Sequence, residues 1–428
     1  MSPTFSSLSI YNYRVYAAGA LISNTGTWMG RVAQDWLVLT ELTPHSSVAL
    51  GIVTGLQFAP LVLFAPIGGM IADRFPKRRI LFATQSALAL TSLLTGILVV
   101  TGSVQLWHIY VLAFVQGIAT ALDNPARQTF VSEMVPHDSL SNAVGLNSAS
   151  FNAARLIGPG VAGLVIASVS TGPAFFINTL SFVAVLFALS RMRPGELSPA
   201  PRQRGKGQMR EGFRYVRGRP DIVLIMALVF VLGTFGMNFQ MTTALMATAV
   251  FHQGAGAYGL LGSIMAVGSL SAALLSARRE HPRLRILLVA LAAFVLASAA
   301  AALAPSYIWF AVLLVPVGLS ALTVLTTANA MVQLSVDPAM RGRVMALYMA
   351  VFMGGTPLAS PLIGWIGSAW GPRWTILIGS IATGLAVSAA TMYLVRSENM
   401  HLRFDRQDRP RLSVTRGEVI EPVPELAN

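Results

Sequence analysis

The chain has 428 residues, of which 54% are hydrophobic and only 11% charged, with a net charge of +13 and a mean hydropathy of +0.64. A soluble domain carries about 25% charged residues, so a soluble surface is excluded and the chain reads as an integral membrane protein. The cysteine count of 0 excludes disulfides, thiolate metal sites and cysteine nucleophiles, and bases set between apolar tracts rather than along one face exclude nucleic acid.

A bilayer crossing needs about 17–25 mostly apolar residues. After a short N-terminal segment, 1–13, with no basic, apolar, cleavable leader, such windows fall at roughly 14–40, 48–72, 79–101, 106–127, 142–168 and 172–191. A linker at 192–221, rich in Arg, Pro and Gly, interrupts them, and within it Met209 to Val216 can form a surface helix. A second set follows at roughly 222–249, 256–277, 285–304, 307–330, 342–368 and 373–395. The polar, proline-containing tail, 396–428, is expected to be disordered. Lipid offers nothing to satisfy an open sheet, so every span is a helix. The reading is all-α, with twelve helices in two six-helix bundles, 14–191 and 222–395.

Basic residues set the orientation. Arg14, the loop "ADRFPKRRI", Arg127, the linker, Arg278, Arg279, Arg283, Arg285, Arg341, Arg343 and the tail fall on one side, and the opposite loops contribute only Arg373. This places both termini in the cytoplasm of a multi-pass cell-membrane protein. A weak repeat at an offset of about 200 joins the stretch from Ser132 to the stretch from Val332, each read as a loop, a helix cap at Asp138 or Asp337, and a span rich in small residues. Parallel six-span repeats are one route to alternating access.

Three stretches carry a resemblance. Between the second and third spans, Gly69 is followed by three residues, Asp73, Arg74, and the cluster Lys77, Arg78, Arg79. In the fifth span, Gly145 is followed by Ala154, Gly158, Pro159, Ala162 and Gly163. "ALDNPARQTFVSEMV" and "NTGTWMGRVAQDWLVLTELT" complete the set. The first resembles the cytoplasmic-loop signature of the major facilitator superfamily, with Pro76 at the usual second glycine. The second resembles that superfamily's antiporter motif, with alanine at two glycine positions. The third group is similar to the enterobactin-exporter and macrolide-efflux branch. The resemblance implies a central cavity between the bundles, a gate latch in the first loop, and a fifth span that seals the outer side of exporters. The arginine common in the fourth span of proton antiporters is replaced by Ala113.

Ionisable residues inside a bilayer are costly and usually functional. Here they are Arg31 and Asp35 in the first span and Arg155 in the fifth. Arg31 and Asp35 are four apart, share a helix face and can pair. The three are expected to form the proton-coupling cluster, with Asp35 as the switch, because burial and a nearby arginine act oppositely on a carboxyl. Arg31 or Arg155 can instead attract an anionic cargo group. Asp123 and Arg127 are assigned with the gate. Asn24, Gln34, Gln116, Asn238, Gln240, Thr242, Thr326 and Asn329 are expected to line the substrate cavity.

With no GxxxxGK[ST] and no HExxH, neither ATP drive nor metal catalysis is expected, and no cofactor is implied. The expectation is a secondary transporter rather than an enzyme, exporting small amphipathic molecules of drug or siderophore kind by proton antiport and working as a monomer. The alternatives are an importer or facilitator of the same fold, or a non-transporting receptor or membrane enzyme.

Overall fold

The computed structural model describes residues 3–198, 208–277, 282–337, 340–397, 400–404 and 412–416. Twelve long helices fill it. Span 1 is Tyr11–Trp36, continued by a π turn at Leu37–Leu42, and spans 2 to 6 are Ser47–Arg74, Lys77–Val100, Leu106–Met134, His137–Ser168 and Thr171–Arg191. Spans 7 to 12 are Pro220–Val250, Ala255–Ala277, Leu284–Ala302, Tyr307–Ser335, Arg341–Trp370 and Trp374–Ser397. Among the described residues, 11 helices are long and apolar enough to cross a membrane. Span 1 falls short of them in hydropathy because Asn12, Arg14, Asn24, Arg31, Gln34 and Asp35 lie along it.

Local chemistry sets the ends. The Ser46 hydroxyl accepts from the Ala49 amide at 3.2 Å and caps span 2, and Gln105 and His108 form a reciprocal cap on span 4. Gly371, at φ 98°, ends span 11 in a conformation that favours glycine. Among the described residues the caps expected at Asp138 and Asp337 are not made. Asp138 lies in the first turn of span 5 behind Pro136, and the Asp337 carboxylate instead accepts from the Tyr215 hydroxyl at 3.2 Å. Spans 4 and 5 outrun their hydropathy windows. The extra turns of span 4 bury Phe130, Val131 and Met134 with Tyr13 and Tyr16 of span 1 and Ala143 of span 5 in a small core at the arginine-rich end.

Spans 1 to 6 pack on one another, as do spans 7 to 12, and the halves meet through span 5 on span 8 and span 2 on span 11. The repeat extends to the backbone: spans 1 and 7 both end in π turns, and His45 and His252 follow them at φ 57° and 52°, rare values for residues other than glycine. The linker holds a helix, Gln208–Arg217, docked on span 11 through Glu211 to Arg343 at 2.8 Å. In the tail, β1 (Met400–Phe404) pairs antiparallel with β2 (Leu412–Arg416), and Arg278 and Arg279 lie outside the described residues.

The two ends of the molecule differ. On the arginine-poor side the Ser47 hydroxyl donates to the Gly364 carbonyl at 2.7 Å, and a Cβ at Gly55 would lie 2.9 Å from the Pro357 carbonyl. Gly163 faces the Ala255 carbonyl equally closely, at 2.7 Å for the same construction. On the arginine-rich side a Cβ at Gly69, Gly145 or Gly342 would meet nothing within 4 Å. The halves are therefore closed on the arginine-poor side and parted on the other. Exposed Trp107, Trp309, Trp365, Trp370 and Trp374 rim the closed side, as tryptophans do at a lipid–water boundary.

Candidate functional site

Span 7 is not the continuous helix its hydropathy suggests. A π turn at Leu232–Gly236 leads into non-helical Met237 and Asn238 before helix resumes at Phe239–Leu245. Irregular backbone at membrane depth is tolerated where it lines a cavity or is buried in protein. The break has both surroundings: Asn238 is buried, donating to the Thr234 carbonyl at 2.8 Å and accepting from Ser360 at 3.0 Å, while Met237 and Phe239 face the seam between the halves.

Asp35 lies opposite this break. It is only 3% exposed, and its Oδ2 accepts from Gln240 at 2.8 Å and from the Tyr258 hydroxyl at 3.0 Å. One carboxylate of the first half is thus held by two donors of the second. The expected Arg31–Asp35 ion pair is absent: among the described residues, neither Arg31 nor Arg155 lies in any of the ion pairs. Four-residue spacing permits a pair on a helix, but the second half supplies closer partners. Arg31 and Arg155 are brought together differently, with guanidinium carbons 5.0 and 5.6 Å from the centre of the Trp28 indole. The backbones permit this because Gly158 of span 5 packs on Trp28 and Thr25 of span 1. Arg155 also lines a narrow gap of about 10 Å³, room for one water, with Met237, Phe239, Met265, Leu322 and Leu325.

Asp123 and Arg127 form a buried pair at 2.8 Å inside the first half. The Asp123 carboxylate also accepts from Thr84 at 2.7 Å and Gln85 at 2.8 Å, and Arg127 reaches Asn24 at 3.4 Å. The network ties spans 1, 3 and 4 together and does not bridge the halves. In the loop motif, Lys77 pairs with Glu133, and Arg78 donates to the carbonyls of Leu189 and Ser190 at 2.7 and 3.3 Å, capping span 6. Asp73, Arg74 and Arg79 are exposed. Asp73 has no ion-pair partner among the described residues, in keeping with the parted arginine-rich side. The span 5 motif lies at the closed seam: Gly163 and Pro159 pack on Gly256, Gly259 and Gly262 of span 8, while Gly145 stands clear.

The polar cavity candidates divide. Gln240 reaches the seam. Thr242 and Asn238 face a pocket inside the second half, beside Phe294, Ser298 and Ser380. Asn24 serves Arg127, Gln34 is buried, and Gln116 is half-buried. Thr326 bonds its own helix at Leu322, and Asn329 accepts from Gln333. Tyr258 was not among the sequence candidates; a lone tyrosine in the first turn of an apolar span carries no sign of a partner 223 positions away.

Residues 2–415 match the family described as transmembrane secretion effector. The chain belongs to this family of major facilitator transporters. Its relatives include the staphyloferrin A transporter of Staphylococcus aureus, 32% identical over 166 residues, which are 38% of this chain and 41% of that protein. The first two curated relatives are therefore matched over less than half their length. The enterobactin exporter of Escherichia coli O1:K1 is 23% identical over 88% of this chain and 90% of that one. Among solved structures, a bacterial homologue of the human lysosomal transporter Spinster, inward-facing and unoccupied, superposes with a TM-score of 0.71 at 16% identity, covering 92% of this chain and 97% of that one. A D-xylose–proton symporter gives 0.71 at 13% identity, covering 89% and 96%. These likenesses show the fold. With family membership, they make this chain a multi-pass membrane protein of a transporter family.

Proposed function

We propose that the chain exports small amphipathic molecules in exchange for protons, with its arginine-rich side and both termini in the cytoplasm. The observation that carries this is the bond from Asp35 of one half to Gln240 and Tyr258 of the other. Alternating access requires spans 5 and 8, and spans 2 and 11, to part on the arginine-poor side. That motion draws Tyr258 and Gln240 away from Asp35 and opens its carboxyl to the outside. Closure buries it again beside the cavity reached from the cytoplasm. A carboxyl exposed alternately to the two sides is the element a proton-driven carrier needs. Asp73, exposed and without an ion-pair partner among the described residues, engages the other half when the cytoplasmic side closes.

Export is supported by the small-residue seam of span 5 and by relatives named as a staphyloferrin A transporter and an enterobactin exporter. The test is uptake into inverted membrane vesicles under an imposed inside-acid gradient, with labelled enterobactin, staphyloferrin A and a macrolide as cargo. Gradient-dependent accumulation is the expected result. Uptake into right-side-out vesicles alone would reverse the direction and make the chain an importer.

A further inference from the structure

Arg31 and Arg155 remain unused by the proton switch. Each belongs to a different helix, yet both are aimed at one indole, and among the described residues neither makes a hydrogen bond or an ion pair. Cations within about 6 Å of a tryptophan ring are held weakly, by about 0.5–2 kcal/mol, far less than the several kcal/mol that taking one ion out of water costs. The second positive charge makes that balance worse. Neighbouring carboxylates correct it only in part: Asp35, one turn from Arg31, brings a single negative charge and is bonded by the neutral Gln240 and Tyr258, and Asp123 is already paired with Arg127. Around Trp28 the protein thus carries two arginines against the one carboxylate of Asp35, a local excess of positive charge. The wall opposite Arg155 is apolar, formed by Met237, Phe239, Met265, Leu322 and Leu325, with Ser269 at its edge.

We infer that Arg31, Trp28 and Arg155 form an anion clamp, and that the cargo is an amphipathic anion whose carboxylate or sulfonate lies between the two guanidiniums while its apolar or aromatic body rests on the methionine and leucine wall. The inference rests on the transport reading above but not on its energy source. Guanidinium suits this task because it stays charged and presents paired donors to a carboxylate or sulfonate. Methionine suits the wall because its side chain adapts to cargo of varied shape. The clamp stands one helical turn from Asp35, so the ionised carboxyl competes with the cargo for Arg31.

The test is equilibrium binding to the purified full chain in nanodiscs, with no gradient imposed, using 1-naphthoate and its uncharged analogue 1-naphthamide, and empty nanodiscs as the blank. The clamp predicts that naphthoate binds at least tenfold more tightly than naphthamide. Arg31→Gln and Arg155→Gln should each erase most of that preference, while Arg31→Lys and Arg155→Lys keep part of it and show that the variants fold. Asp35→Asn should tighten naphthoate and leave naphthamide unchanged. Equal affinity for the two compounds, no saturable naphthoate binding, or a preference that survives both glutamine variants would overturn the clamp. Because no proton gradient enters the assay, a failure of proton coupling leaves this result standing, and the reverse also holds.

Discussion

At the scale of single residues, the molecule separates charges by what surrounds them. Asp123 is satisfied by three side chains of its own half and ties spans 3 and 4; Asp35 is satisfied only by the opposite half and, in the proposed cycle, is the contact that breaks. Truncating Arg127 to alanine leaves Asp123 buried without its cation, at a cost of about 3–5 kcal/mol, and should lower the thermal midpoint of the purified protein far more than any exposed arginine does. Replacing Tyr258 by phenylalanine removes one hydrogen bond to a charged group, about 1.5–3 kcal/mol. It should shift the population at least tenfold towards the form open on the arginine-poor side. A cysteine replacing Ala255, which is 4% exposed at the seam, reports this as faster labelling by an impermeant maleimide, without interference from native thiols. The sequence made Asp35, Arg31 and Arg155 visible because charges stand out in apolar helices. It could not assign their partners. Helical spacing states which residues share a face, and only the tertiary packing of spans 7 and 8 decides which donor arrives first.

Among the elements, span 7 departs furthest from its hydropathy pattern. The apolar run across 222–249 reads as one helix, but the break at Met237 and Asn238 brings Gln240 to Asp35 and turns Thr242 away from the seam. Nothing in the run marks this, because Gly233, Gly236 and Asn238 are ordinary within membrane helices. Spans 5 and 8 were more legible. Small residues at Gly158, Ala162 and Gly163 announce a close approach, and the structure supplies Gly256, Gly259 and Gly262 as the opposing surface. A Cβ at Gly259 would overlap the Pro159 carbonyl. Gly259→Val should therefore force this seam apart, giving the same rise in Ala255→Cys labelling together with loss of transport. The linker helix offers the contrasting case. Its Glu211–Arg343 pair is exposed, and a double-mutant cycle should return no more than about 1 kcal/mol.

Over the whole molecule, the two halves repeat each other closely enough that the left-handed His45 and His252 recur after matching π turns. They diverge at the candidate site, with the buried charges concentrated in the first half and the broken helix in the second. Twelve spans, the charge asymmetry and the repeat were readable because lipid imposes length and polarity rules on every helix. Which end is closed was not readable, since one sequence must stabilise both arrangements. A cross-link fixes the arrangement seen here: a Cβ at Gly160 would lie 3.1 Å from the Ser263 Oγ, within the reach of a disulfide. Gly160→Cys with Ser263→Cys should oxidise readily, arrest transport, and recover on reduction.

The central claim is that Asp35 carries the proton. Its most direct test is cargo-evoked proton movement in inverted vesicles, followed with a pH-sensitive dye, for wild type and Asp35→Asn, alongside cargo exchange in the absence of a gradient. Proton movement is expected in the wild type and none in Asp35→Asn, with exchange preserved in both. Full proton movement in Asp35→Asn would contradict the claim and place the coupling elsewhere in the molecule.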